Sequence, residues 1–291
     1  MANHRNFAII GGDLRQIRLA NALAEEGYSV CVYGFDPDAP YLTLIPKNSL
    51  EEALDGANIV ILPLPAVADS GYVSTPYYKG KIEVSTLLER MNKNQILLGG
   101  KIDDALKTLI DVHNVYAIDY FMREELTVLN AIPTAEGAIS IALNETATTL
   151  CGSKCLVIGF GRIGKVLCKM LDGIGAKVCA AARKYEAFAW IDAYGYDKCH
   201  TDALETVIHQ YDIIFNTVPH KVLGKKVLKN MRDDALVIDL ASKPGGVDLN
   251  AAKEYGVKTV WALSLPGRVA PISAGDIIKQ TVLNICAELG V

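Results

Sequence analysis

Two stretches of the chain share one pattern of apolar and polar positions. Each opens on a short β-rich run, passes through glycines and continues with apolar residues every three to four positions, the period of a helix. In the later stretch, "KCLVIGF" leads into Gly159, Gly161 and Gly164. The helix then carries Ile163, Val166, Leu167, Met170 and Leu171, Gly175 punctuates its end, and "KVCAAA" returns as a strand. The earlier stretch, "FAIIGGDLRQIRLANALAEEGYSVCVYGF", slides onto it so that Gly11 falls on Gly159, Gly27 on Gly175 and Val30 on Val178. Downstream, "NIVILPLP" parallels "DIIFNTVP", and "NQILLGGKI" resembles "DALVIDLASK". Strands alternating with helices in both halves predict an α/β protein of two Rossmann-like lobes, each with a parallel sheet.

Between the halves lies "TAEGAISIALNETATTLCG", with apolar Ala138, Ile141, Ala142 and Leu143. It predicts a crossover helix over 134–151, ended by Gly152. A last helix is expected from about Ala274 to Leu289, with Ile277, Ile278, Val282 and Ile285 on one side. By analogy with two-lobed dehydrogenases it should return to the first lobe. The expected plan is a first, substrate lobe over 1–133 completed by 272–291, the crossover helix, and a dinucleotide-binding domain over 152–271. The active site is expected in a cleft between the lobes, at the carboxyl ends of the strands.

Composition narrows the partners. The chain has 291 residues, 51% of them hydrophobic, which is ample for two cores. A net charge of −4 gives no basic field for nucleic acid. No apolar run reaches the roughly 18 residues a membrane span needs. The seven cysteines form no CxxC pair, and Cys155, Cys179 and Cys286 sit in apolar contexts. They read as reduced, buried thiols of a cytoplasmic protein. The five histidines show no metal-ligand spacing, so no metal site is expected.

The glycine turn is where chemistry enters. Gly159 permits a tight turn, Gly161 lets a pyrophosphate approach the backbone, and Gly164 lets the helix pack on the strand. The expected cofactor set is Gly159, Phe160, Gly161, Arg162, Ile163 and Gly164, with Asn216, Thr217, Val218, Pro219, Asp239, Ala241 and Gly267 at later strand ends. The second strand ends on Arg183 and Lys184, where an acidic residue would grip an NAD ribose. Two cations favour NADP, through its 2′-phosphate. NAD is the alternative if both lie on a solvated loop. In the first copy, Asp13 replaces Gly161 and Gln16 replaces Gly164. A carboxylate at the closest backbone approach would repel pyrophosphate, so this copy should keep the fold and lose the dinucleotide. Arg15 and Arg18 at its helix start suit a smaller anion.

Strand-end loops supply the remaining candidates. Lys243 and Arg268 sit in Pro/Gly segments, "DLASKPGG" and "LPGRVAP", and with Ser242 are the catalytic candidates near a nicotinamide. Arg15, Asp13, Thr134, Glu136 and Lys101 are the substrate-binding candidates. "SLPGRVAP" lacks the histidine that a D-2-hydroxy acid dehydrogenase would need there, and His220 reads as a satisfied structural histidine. Cations without a base suit a carboxylated ring that becomes aromatic on losing hydride.

"IPTAEGAISIALNET", "VIGFGRIGK", "GAKVCAAARK", "NTVP", "VIDLASKPGG" and "LPGRVAP", in this order and spacing, resemble the dipicolinate synthase A-subunit family. The resemblance is strongest from about Ile132 to Pro271. It implies NADP-dependent oxidation of dihydrodipicolinate, or its hydrated precursor, to dipicolinate in a sporulating bacterium. It also implies a location in the mother-cell cytoplasm and a partner, the dipicolinate synthase B subunit; a homo-oligomer is left open. Two other readings stand beside it: another two-lobed NADP dehydrogenase of the shikimate type, and a dinucleotide-binding subunit without catalysis.

Overall fold

Strands buried on both faces need apolar residues at successive positions, and that is how the β-rich runs of this chain read. The computed structural model describes residues 5–68 and 71–291. The chain divides into two units, Met1–Leu129 with Ala270–Val291, and Asn130–Val269.

The first unit runs β1 (Asn6–Ile10), α1 (Leu14–Glu25), β2 (Ser29–Tyr33), α2 (Leu50–Leu54), β3 (Ile59–Ile61), α3 (Val84–Arg90), β4 (Ile96–Gly99), α4 (Asp104–Val112), β5 (Tyr116–Asp119) and α5 (Glu124–Leu129). Its five strands are parallel, in the order β2-β1-β3-β4-β5. Phe7 and Ile9 of β1 enter one core; Ala8 and Ile10 enter the core on the opposite face.

The second unit runs α6 (Ala131–Glu145), β6 (Lys154–Ile158), α7 (Arg162–Gly173), β7 (Lys177–Ala182), α8 (Tyr185–Ala193), β8 (Asp197–His200), α9 (Leu204–Val207), β9 (Ile213–Asn216), α10 (Lys225–Leu228), β10 (Leu236–Asp239), α11 (Leu249–Glu254), β11 (Lys258–Trp261) and α12 (Leu265–Val269). Its strand order is β11-β10-β9-β6-β7-β8, the doubly wound dinucleotide-binding order. Cys155 and Val157 of β6 face one core, Leu156 and Ile158 the other. The two glycine-turn copies therefore seed sheets of different order. The first has the flavodoxin-like arrangement, which uses the same strand-turn-helix start.

The chain closes with α13 (Pro271–Leu289), which packs on α1 of the first unit. Ile278, Val282, Ile285 and Cys286 enter that unit's core. The helix begins before Ala274 because Pro271 presets its first turn. The helix expected over 134–151 is α6, and it stops at Glu145. Thr146 is extended there, and its N–H and Oγ1 both donate to the Ala142 carbonyl, at 3.1 and 2.8 Å. Gly152 belongs to a later turn. The helical stretch Glu124–Glu145 is by length and composition apolar enough to cross a membrane. This corrects the expectation that no run reaches that length, although Asn130 and Glu136 lie within it. It turns at Asn130, and α6 packs on α7 and α12.

Candidate functional site

In the second unit β6 runs into Gly159, whose φ of +96° only glycine takes freely. A Cβ there would lie 2.4 Å from Thr217 Oγ1. Thr217 closes the turn by donating to the Ile158 carbonyl at 2.9 Å. At Gly164 a Cβ would sit 2.0 Å from the Gly159 carbonyl oxygen, so the helix touches the turn directly. Among the described residues nothing lies within 4 Å of a Cβ at Gly161. Gly161 is also the N-cap of α7, and no side chain caps that end. The first-turn N–H groups of α7 thus begin beside open space. Phe160 and Ile163 do not face that space. Phe160 is 7% exposed, set edge-on to Tyr194 and Tyr196, and Ile163 packs on the core. Arg162 is exposed.

Arg183 and Lys184 follow β7 directly, and both are exposed. Among the described residues no carboxylate pairs with either side chain.

Asn216 and Asp239, expected at the cofactor, are 0% and 1% exposed. They hold each other instead. Asn216 Nδ2 donates to Asp239 Oδ1 at 2.8 Å and to the Val218 carbonyl at 3.0 Å. Asp239 also accepts the N–H groups of Ala241 (3.1 Å) and Gly246 (2.8 Å). A Cβ at Gly246 would meet Asn216 Nδ2 at 2.0 Å, so the loop can close on the pair only with glycine there. Trp261 Nε1 donates to the Ala241 carbonyl at 3.0 Å. The clasp leaves Ser242 and Lys243 exposed at the loop's outer turn.

The Pro/Gly pattern predicts a strand-end loop at Gly267 and Arg268. They lie instead in helix α12, which follows Ser264, a residue at φ +57°. Arg268 is exposed. Gly137 lets α6 approach that helix, with Leu265 Cβ and Val269 Cγ2 each 3.2 Å from where its own Cβ would be. Thr134 does not offer its hydroxyl outward: it is 9% exposed and donates to the Asn130 carbonyl at 2.7 Å. Glu136, on the same helix, is exposed. Pro219 and His220 are exposed.

The first unit handles its glycine turn differently. Asp13 caps α1, and its carboxylate takes Arg15 Nε at 2.9 Å and an Nη at 2.7 Å. The same Nη donates to the Leu64 carbonyl. Arg15 and Asp13 are both expected at the substrate, yet each is largely satisfied by the other. Arg18 pairs with Asp276 of α13 at 2.8 Å, so its charge holds two helices together. Gln16 is fully buried and packs on Gly12; its amide donates to Tyr120 Oη at 3.1 Å. Burial pushes the Tyr120 hydroxyl's pKa up, and it donates to the Leu62 carbonyl at 2.9 Å. A Cβ at Gly11 would meet Thr75 Cγ2 at 2.6 Å and the Ser74 carbonyl oxygen at 3.1 Å. The chain's own segment around residues 73–75 thus lies on this turn, as Thr217 lies on the turn at Gly159. Lys101 is exposed, just beyond β4.

Asp119 and Trp261 carry no signal in the sequence, because the loop residues Lys101, Ile102 and Ala241 to which they bond are 17 to 20 residues away. The run Gly99-Gly100-Lys101 is the only local sign near Asp119.

Residues 6–121 match the family model of the dipicolinate synthase A-subunit N-terminal domain. Residues 133–249 match the D-isomer specific 2-hydroxyacid dehydrogenase, NAD binding domain family. This second match identifies the second unit as a nicotinamide-dinucleotide-binding domain and the chain as an oxidoreductase. The dipicolinate synthase A subunit of Bacillus subtilis is 32% identical over 97% of this chain and 96% of its own length. The crystal structure of the Bacillus subtilis dipicolinate synthase A subunit superposes with a TM-score of 0.90 at 31% identity, covering 100% of this chain and 98% of that one. The A-subunit structure from Bacillus halodurans also gives 0.90, at 29% identity over 99% of both chains. With both units matched and a relative aligned along nearly the whole length, the chain belongs to the dipicolinate synthase A-subunit family.

Proposed function

We propose that the chain oxidises dihydrodipicolinate, or its hydrated precursor, to dipicolinate with NADP as acceptor. The observation that carries this reading is the pair Arg183 and Lys184, exposed directly after β7 in a unit whose glycine turn is open at Gly161. An acidic residue at that point would repel a 2′-phosphate; a guanidinium pairs with it. The open turn fits a pyrophosphate, whereas the first unit carries the Asp13 carboxylate at the position that matches Gly161.

Oxidation of the dihydropyridine removes a hydride and a proton, and the ring becomes aromatic. The nicotinamide, when bound, accepts the hydride. The proton leaves to water, so the site needs cations for two carboxylates more than it needs a strong base. Gly159, Gly161 and Gly164 shape the pyrophosphate cradle at the N-terminus of α7. Thr217, Val218, Pro219 and Gly267 would hold the sugar and nicotinamide. Lys243 and Arg268 take carboxylate oxygens, with Ser242 beside Lys243. Asn216 and Asp239 act behind them by fixing the loop that carries Lys243. Glu136 and Lys101 contribute to substrate recognition. The chain works with a B subunit in the cytoplasm of a sporulating cell.

The test feeds the purified chain the product of 4-hydroxy-tetrahydrodipicolinate synthase, made in situ. Reduction of NADP matched by the ultraviolet spectrum of dipicolinate is the expected result. No dipicolinate with NADP or NAD, whether or not the B subunit is added, overturns the reading.

A further inference from the structure

At the carboxyl end of β4 the chain runs Gly99-Gly100-Lys101, and Lys101 has φ +59°. In that left-handed region a Cβ crowds the following carbonyl. Glycine enters it freely, and lysine enters it only at a cost. Gly100 is a glycine for packing reasons: a Cβ there would lie 2.7 Å from both Leu64 Cβ and Tyr120 Oη. Nothing of that kind explains Lys101. Its side chain is exposed, and among the described residues no carboxylate pairs with it. A third glycine would make the same turn more cheaply, so the lysine is kept for its side chain.

The conformation is held from the neighbouring strand. Asp119, at the end of β5, accepts three backbone N–H groups: Lys101 at 2.9 Å, Ile102 at 2.8 Å and Phe121 at 2.8 Å. Two of these are successive, so the peptide planes on both sides of the Lys101 Cα are fixed. Tyr41, Asn114 and Ser264 share the left-handed region. Among the described residues none of them is gripped by a carboxylate in this way, and Asn114 follows α4, where an asparagine ordinarily ends a helix.

We propose that Asp119 is a positioning residue that holds Lys101 in this strained conformation so that its ammonium receives one carboxylate of the substrate. The proposal rests on the reading that the substrate is a cyclic dicarboxylate. It predicts effects of opposite sign on stability and on binding. Lys101→Gly keeps all three N–H bonds and removes the strain, so the full chain should melt at or above the wild-type temperature. Titrated calorimetrically with pyridine-2,6-dicarboxylate, the same variant should bind about tenfold or more weakly, the loss of one charge-assisted contact. Lys101→Ala should weaken binding similarly, and Lys101→Arg should restore part of it.

Asp119→Asn keeps one acceptor oxygen and leaves the Ile102 N–H facing an amide donor. It should weaken dicarboxylate binding in the wild-type background and have no further effect in the Lys101→Gly background. Wild-type affinity in Lys101→Gly, or a lowered melting temperature, overturns the proposal. An equal effect of Asp119→Asn in both backgrounds overturns the positioning role. A wild-type chain that does not bind the dicarboxylate removes the dicarboxylate reading and this proposal together. Wild-type binding with an unaffected Lys101→Gly removes this proposal alone.

Discussion

Replacing Gly161 by alanine adds one methyl group at a position where, among the described residues, nothing lies within 4 Å. Its φ of −87° and ψ of −156° are open to alanine. Alanine is a poorer N-cap than glycine, but it stiffens the unfolded chain, so the two effects on stability oppose each other. The net change in the free protein should stay within about 0.5 kcal/mol, as for an exposed substitution. Binding should respond quite differently. The methyl would stand where a pyrophosphate approaches the N-terminus of α7 and would hold it away from at least one N–H donor. Losing one hydrogen bond to a charged group costs about 1.5–3 kcal/mol, or roughly 10- to 150-fold in affinity. Thermal melting of the free chain and calorimetric titration with NADP give the two quantities on one sample. Gly164→Ala is the contrasting case. Its methyl would lie 2.0 Å from the Gly159 carbonyl oxygen, so α7 must move. Overpacking of that kind costs about 1–3 kcal/mol, and both the melting temperature and NADP affinity should fall. Unchanged NADP affinity in a folded Gly161→Ala variant would refute the assignment of this turn to the pyrophosphate. A lowered melting temperature would refute the open space itself.

Arg183→Asp should weaken NADP by about tenfold or more and relatively favour NAD; equal NADP affinity in the variant would show that Arg183 serves no phosphate. Asp239→Asn should cost about 1–3 kcal/mol by leaving the Gly246 N–H unpaired, and turnover should fall more than NADP affinity; undiminished turnover would detach the loop from the reaction. Burial pushes the thiol of Cys155 up to about 12 and that of Cys286 up to about 11. The thiolate is the reactive form, so both should resist a thiol reagent at pH 8 while exposed Cys151 reacts. Rapid labelling of Cys155 in the native chain would contradict its burial.

The second glycine turn was legible because its spacing is local: Gly164 packs on the Gly159 carbonyl within the same turn, although Gly159 also makes room for Thr217, far along the chain. Strand order was not legible, since the strand-turn-helix start at Phe7 and that at Cys155 serve two different sheet orders. The pairing of Arg15 with Asp13 was hidden for a related reason. Arg15 looks like a free cation until Asp13 and the Leu64 carbonyl are placed beside it, and Leu64 is 49 residues away. Asn216 and Asp239 do stand at strand ends, as their sequence context implies, but their task depends on a contact made across 23 residues. Pro266 and Gly267 concealed a short helix that α6 supports through Gly137. In each case the missing information was a partner distant in sequence, for which periodicity carries no signal.

The return of α13 to α1 has a consequence for the order in which the chain can fold during synthesis. The first unit's core needs Ile278, Val282 and Ile285, and Arg123, just before α5, reaches Glu288 at 2.6 Å. The second unit is continuous in sequence from Asn130 to Val269. It can therefore pack while the first unit, though made earlier, still lacks a wall. The half made earlier is the half that must wait, with its apolar strands unsealed until α13 has been made.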